Sequence, residues 1–345
     1  MNFADLRPQL DHILSQNKVV TLLQPILDMA EGCIAGYEAL TRGPSDNPLH
    51  SPEALFKVGE YYGKLLELDL VCCNTAFSTF ARLKLSGRLF VNITPGSLLA
   101  EAFSPAAILE RVARVGLDRR QLIFEITESS PDFDYGELKH AVGLLRDAGL
   151  EVAMDDLGEG FSSLRLWSEL KPGFVKIDKH FISGIHQDPN KLQFVRSIQQ
   201  LAENAHAQVI AEGVETQSEQ AIIKDLGIRY AQGYLIGRPS PTPARIPPPE
   251  VMDNLASGRV SVFPVSSGTG SIRLFAERLV ITAPSVSTST PSQAVLDLML
   301  SQSALHAVAV LDGDRPVGII HRPALLDRFI GMFGRERYGK TPCRD

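Results

Sequence analysis

Residues 151–164 read EVAMDDLGEGFSSL, an apolar strand-like run that ends in the adjacent acids Asp155 and Asp156 and a glycine-rich turn. Two carboxylates about 4 Å apart repel by roughly 4 kcal/mol at an effective dielectric of about 20. Two arrangements relieve that repulsion. Asp and Gly commonly end strands, so the pair fits a solvated turn. It also fits a cation site at the carboxyl end of a strand, where α/β folds place their chemistry. The rest of the chain decides between them.

Working outward, strand-like and helix-like segments alternate on both sides of this stretch. Before it, residues 19–27 (VVTLLQPIL) and 34–40 (IAGYEAL) are apolar runs separated by a short polar turn, which predicts a hairpin. Residues 52–66 and 68–83 read as helices, the first with Ser51 as N-cap and Pro52 at its first position. Residues 88–93 are a strand, 105–115 a helix stopped by Gly116, 121–127 a strand and 134–148 a helix stopped by Gly149. After it come strand 174–178, helix 189–205, strand 208–214, helix 218–226 and strand 230–237. Units of this length over some 230 residues predict a parallel sheet. A closed (β/α)₈ barrel matches the size, with an open doubly wound sheet as the structural alternative.

A polar residue recurs where each of seven predicted strands ends: Glu38, Asn92, Glu125, Asp155 with Asp156, Lys176 with Asp178, Glu212, and Gln232. In a barrel those ends converge on one mouth, which favours a site over seven unrelated caps. The donors are oxygens, and none of the eight histidines stands in an HxxxH or HxH arrangement. That set suits hard cations, Mg²⁺ or Mn²⁺, over zinc. Several acids give charge for two ions, a recurrent solution for phosphodiester hydrolysis. Lys176 is the single cation of the ring. It fits either a salt bridge to a neighbouring carboxylate or a contact to attacking water or phosphate.

Composition bounds the rest. With 44% hydrophobic and 21% charged residues in 345, the chain is an ordinary globular protein, long enough for one large and one small domain. A net charge of -6 without a dense Lys/Arg run argues against DNA, so an anionic substrate needs metal or placed cations. Cys33, Cys72, Cys73 and Cys343 show no CxxC spacing and fit reduced thiols in a cytoplasmic protein. The start, MNFADLRPQLDHIL, reads as an amphipathic helix rather than a signal peptide, and no apolar run has membrane-spanning length.

These residues resemble the EAL-domain phosphodiesterases that hydrolyse cyclic di-GMP to linear pGpG. The namesake motif stands as Glu38-Ala39-Leu40, followed by Thr41-Arg42. QPI at 24–26, VNIT at 91–94, EITE at 125–128, DDLGEGFSSL at 155–164, KID at 176–178, AEGVET at 211–216 and QGYLIGRP at 232–239 follow in family order within residues 19–241. The resemblance implies a modified TIM barrel over residues 1–245 with one strand antiparallel. It implies two divalent cations, Mg²⁺ or Mn²⁺, held by Glu38, Asn92, Glu125, Asp155 and Asp156. It further implies that Glu212 is a general base or metal-adjacent carboxylate, that Lys176 holds the nucleophilic water and that Gln232 supports the metal shell. Leu40, Arg42, Asp178 and Gln24 are expected to meet substrate. Glu128 is expected to anchor the loop after the aspartates, which couples metal binding to a homodimer through the barrel, and Glu215 to stand behind the ligands. DDLG in place of DDFG and GEGF in place of GTGY make Leu157 and Glu159 the departures. They bear on rate, metal affinity and loop order, and they leave a cyclic di-GMP receptor with weak or no turnover as the alternative.

Residues 238–251 are proline-dense and mark a domain exit, so residues 246–276 are expected to be a linker. Residues 277–345, with RPVGIIHRPALL after an acidic turn, resemble one CBS motif. Such motifs pair, so a nucleotide site there needs a second copy. The order EAL, CBS and then a GGDEF domain in relatives suggests that the chain is a truncated form. Equally, the region fits a small α/β appendage used for dimer contacts.

Overall fold

Eight strands run in chain order around a closed barrel: β1 (Val20–Asp28), β2 (Cys33–Arg42), β3 (Arg88–Ile93), β4 (Leu122–Ile126), β5 (Glu151–Leu157), β6 (Phe174–Ile177), β7 (Gln208–Ala211) and β8 (Tyr230–Gln232). This computed structural model describes residues 5–126, 134–157, 163–257, 284–302, 305–313, 315–330 and 338–343. Strands β2 to β8 are parallel to their neighbours, whereas β1 is antiparallel to both β2 and β8. The predicted hairpin is the cause. A turn at residues 29–32 is too short for a crossover helix, so β1 has to return antiparallel. The barrel is the modified form expected, and the open-sheet alternative falls.

Helices cover the outside, so the strands are buried on both faces and read as near-continuous apolar runs such as LIFEI. Inside the barrel, Ile26, Phe90, Ile123, Ala153, Phe174, Ile210 and Tyr230 form one apolar layer. Along each parallel strand, the residue two positions later is a predicted site residue: Asn92, Glu125, Asp155, Lys176, Glu212 and Gln232. On antiparallel β1 the offset reverses, and Gln24 precedes Ile26 by two. Side chains two apart share a strand face, so a hydrophobic plug carries a polar ring directly above it.

Four boundaries differ most from expectation, the first being the strand expected over 208–214, which ends at Ala211. The helix expected over 52–66 ends at Tyr61, and the next spans Leu65–Leu83. The last strand stops at Gln232, not residue 237, because Gly233 brings the chain against the loop that follows β7. A Cβ there meets Val214 N and O at 2.2 Å, and residues 234–236 form a turn. The expected linker starts too early, because Pro249–Ala256 is a helix on the barrel. Its Val251 is fully buried, and its Val251 and Leu255 carbonyls accept from Gln220 Nε2 (3.2 Å) and Lys224 Nζ (2.8 Å).

The chain divides into two units, Met1–Ser266 and Ser267–Asp345. The second holds a three-stranded sheet in the order β11-β10-β9: β9 (Ser285–Ser287) runs parallel to β10 (Ala307–Asp312), and β11 (Arg315–His321) antiparallel to it. Helices Ser292–Ser301 and Arg322–Ile330 pack on it through Val295, Leu296, Met299, Val308 and Leu325. Among the described residues, no helix is long and apolar enough to cross a membrane.

Candidate active site

The polar ring closes around one ammonium. Lys176 Nζ lies 2.7 Å from Glu212 Oε1, 3.0 Å from Glu125 Oε1, 3.0 Å from Asp155 Oδ1 and 3.3 Å from Glu38 Oε2. Lys176 is 1% exposed and Glu125 fully buried, while Glu212, at 16%, is the most exposed of the four acids, so bulk water offsets little of the charge at the centre. One ammonium cannot neutralise four carboxylates. Burial pushes Glu125 and Glu212 well above the usual carboxylate range, against the pull of Lys176, and neighbouring acids add to the rise. Asp155 is raised for the same reasons. Burial acts the same way on Glu38, but the Lys176 charge and hydrogen bonds from Gln232 and Asn92 prevail and hold it below the usual range. Burial disfavours the Lys176 ammonium too, and the surrounding carboxylates outweigh that and hold it far above its ordinary value.

Glu38 is the best-fixed member. Asn92 Nδ2 donates to its Oε1 at 3.0 Å, and Gln232 Nε2 donates to its Oε2 at 2.6 Å and to Gln24 Oε1 at 3.0 Å. Strand register produces this: Gln24 faces Glu38 across β1 and β2, and Gln232 pairs with Ile26 of β1. Gln24 Nε2 donates onward to the Gly237 carbonyl at 3.1 Å.

Adjacent residues of a regular strand point to opposite faces, so Asp155 and Asp156 need a special backbone to serve one site. They have it. The β5–β6 register shifts between Met154 and Leu157, and Asp156 sits at φ 54, a left-handed conformation that Asp tolerates better than most residues. The Asp156 amide donates to Asp155 Oδ1 at 3.0 Å. Leu157 is buried in the main core and pairs with Ile177.

Two groups of carboxylate oxygens lie within 4.8 Å of one another: Glu38, Glu125 and Asp155, and Asp155, Asp156 and Glu212. Oε2 of Glu125 and Oε1 of Gln232 are buried without a hydrogen bond, while Glu125 Oε1 faces Lys176. The Asn92 amide oxygen accepts none among the described residues. Uncommitted hard oxygens around a surplus of negative charge fit divalent cations, and Asp155 is common to both groups.

The other expected residues lie further out. Leu40 and Arg42 line a cavity of about 570 Å³ with Asn92, Thr94, Asp69 and Asp156. Arg42 Nη1 donates to its neighbour's carbonyl, Thr41 O, at 2.8 Å. Asp178 caps the short helix Lys179–Ile182 by accepting from the His180 amide at 2.7 Å. Glu215 enters through its amide, which donates to Glu219 Oε2 at 3.0 Å. Glu128 and Glu159 lie outside the described residues.

Two buried acids escaped the sequence reading. Glu219 accepts from the amides of Gly184 (2.8 Å), Glu215 and Thr216 (both 3.0 Å), and so pins the loop that carries Glu212. Its signal was present, since Thr216 and Glu219 have capping-box spacing. Asp69, fully buried, accepts from the Thr94 hydroxyl at 2.6 Å and from its amide at 3.2 Å, behind Asn92. Burial raises its pKa. Its only signal was an acid among apolar helix residues.

Comparison with known proteins adds to this geometry. The EAL domain family profile matches residues 7–239. Cyclic di-GMP phosphodiesterase PdeF of Escherichia coli is 30% identical over 237 residues, 68% of this chain and 31% of that protein. An uncharacterized signaling protein of Caulobacter vibrioides is 32% identical over 232 residues, 67% of this chain and 29% of that protein. The match thus spans well under two thirds of these curated relatives. Among solved structures, the calcium and cyclic di-GMP complex of Klebsiella pneumoniae BlrP1 has a TM-score of 0.60 at 30% identity, covering 66% of this chain and 57% of that one. A standalone EAL protein of Vibrio cholerae, bound to cyclic di-GMP, has a TM-score of 0.61 at 28% identity, covering 68% and 97%.

Proposed function

The chain belongs to the EAL domain family, and from that premise we propose that it hydrolyses cyclic di-GMP to linear pGpG with divalent cations. One observation carries the reading: four carboxylates from four strand ends converge on one buried ammonium, with further oxygen donors uncommitted. Relatives named as cyclic di-GMP phosphodiesterases and neighbours bound to that nucleotide support it.

Glu38, Asn92, Glu125, Asp155 and Asp156 would hold two ions, Mg²⁺ or Mn²⁺. The ions supply Lewis-acid charge to the phosphodiester and its water. Asn92 and Gln232 keep Glu38 ionised and oriented, which preorganises the donor set. Water attacks phosphorus, its proton passes to Glu212, and Lys176 steadies the water by hydrogen bonding. A 5′-phosphate product requires that the P–O3′ bond break, with the O3′ oxygen leaving with the bonding pair and taking a proton from solvent. Arg42 and the backbone near Leu40 meet phosphate, while Gln24 and Asp178 meet the nucleotide. Glu128 anchors the loop after the aspartates.

The protein works as a cytoplasmic homodimer paired through the barrel. Residues 277–345 are one CBS-like half-module; the order strand, helix, hairpin, helix supports this. On β11, Val317 and Ile319 are exposed, consistent with a face that a second copy covers to complete a nucleotide site.

Calorimetry with cyclic di-GMP in Ca²⁺, run beside a turnover assay in Mg²⁺, tests the proposal. Binding in the first and product in the second is expected. Binding without product overturns the enzyme reading in favour of a receptor.

A further inference from the structure

The opposite end of the barrel carries a second polar cavity, of about 520 Å³, at the amino-terminal ends of the parallel strands. That size falls within the usual range for small-molecule sites. Its charge runs against the rest of the molecule. On a chain of net charge -6, the walls present Arg88, Arg146, Lys171 and Arg229, and Glu151 is the single carboxylate among the lining residues.

Arg229 is already engaged with Asp28, at 2.7 Å. Among the described residues, Arg88, Arg146 and Lys171 form no ion pair. Two of these cations are held in place. The Arg88 guanidinium lies over the Phe174 ring, 4.9 Å from its centroid. Arg146 Nη2 donates to the Leu170 and Lys171 carbonyls at 2.7 and 3.0 Å, which leaves its other N–H groups uncommitted. Guanidinium forks fixed this way match phosphate oxygens, and less side-chain freedom is lost on binding. The floor is apolar and aromatic, made by Phe174 and Tyr230, whose rings lie 5.8 Å apart. Those residues belong to the plug layer and sit two positions below Lys176 and Gln232, so the cavity is separated from the acidic site by that layer.

We propose that this cavity binds a small phosphate-bearing molecule, with Arg88, Arg146 and Lys171 as its anion contacts and the buried Phe174 and Tyr230 rings as the support on which Arg88 and Arg229 rest. The site is distinct from the carboxylate cluster in position and in sign of charge. Its test therefore does not depend on turnover.

Titration of the full chain with inorganic pyrophosphate, in EDTA so that no divalent ion links it to the carboxylates, reads the site directly. Saturable binding is expected, weakened about tenfold or more by Arg88→Gln, as loss of a charge-assisted contact implies. Lys171→Gln, a change confined to an exposed side chain, is expected to weaken it as well. Glu38→Gln is expected to leave it unchanged. Absence of saturable binding, equal affinity in the wild type and both basic variants, or loss of binding in Glu38→Gln each overturns the proposal.

Discussion

The Lys176 ammonium lies 2.7 Å from Glu212 Oε1, and this contact ties the ends of β6 and β7 together inside a ring of three further acids. Lys176 thereby acts as an internal counter-ion in competition with any bound cation. Lys176→Met removes it and leaves the carboxylates facing one another. In EDTA the variant is expected to lose about 3–5 kcal/mol of stability, the scale for breaking a buried ion pair. Urea melts with and without Mn²⁺ check this: the metal should restore more stability to the variant than it adds to the wild type. Equal melts in EDTA contradict the counter-ion role.

Glu38→Gln keeps the shape and removes the charge. One of its two donor neighbours, Asn92 or Gln232, then meets an amide NH₂ instead of an oxygen. Turnover is expected to fall about 10²–10³-fold or more, as for loss of a preorganised electrostatic group. Calorimetric affinity for cyclic di-GMP should survive in part. A variant that turns over at the wild-type rate removes Glu38 from the metal set.

Asp156 combines a charge with a left-handed backbone. Asp156→Asn retains the backbone preference and loses the charge, so equilibrium dialysis is expected to find one fewer tightly held Mn²⁺ ion per chain. Unchanged stoichiometry assigns Asp156 to the bulge alone.

Glu219 tests positioning without touching the reaction. Glu219→Ala strands three amides and should cost on the order of 2 kcal/mol in urea melts. Because the pinned loop carries Glu212, kcat should fall more than KM rises, and Glu219→Gln should recover part of it. A purely structural role predicts lower stability with unchanged kcat.

Asp28 closes the barrel seam, accepting from Arg229 Nε and Nη2 at 2.9 and 2.7 Å and from the amides of Ala30 and Glu31 at 3.0 and 3.2 Å. Burial raises its pKa, but these donors outweigh burial and hold it below its ordinary value. A depressed folded pKa gives stability that is complete above the unfolded pKa of about 4 and is lost as pH falls through the lower folded value. Asp28→Asn should therefore be about 1–3 kcal/mol less stable at neutral pH. The gap should close as pH drops below about 4. A gap that persists in acid points to lost packing instead.

The barrel was legible because its strands are short apolar runs that each end in a polar residue, and the turn at residues 29–32 announced the antiparallel β1. The site ring was legible for the same reason: Asn92, Glu125, Lys176, Glu212 and Gln232 each stand two positions past an apolar plug residue. What stayed hidden depends on backbone path or burial. The bulge that turns Asp155 and Asp156 to one site has no marker in DD. The burial of Glu219 and Asp69 comes from the fold, which packs both acids against backbone amides far along the chain. The helix Pro249–Ala256 hides in the sequence because prolines at its start resemble a domain exit, although Pro also suits a helix's first turn.

The central claim is metal-dependent cleavage of one phosphodiester by this carboxylate ring. The most direct measurement follows the nucleotide by chromatography with Mn²⁺, with EDTA, and with Mn²⁺ plus the Glu38→Gln variant. Conversion of cyclic di-GMP to pGpG is expected in the first sample and intact substrate in the other two. Intact substrate in all three at saturating Mn²⁺, with the protein folded and the nucleotide bound, contradicts that claim.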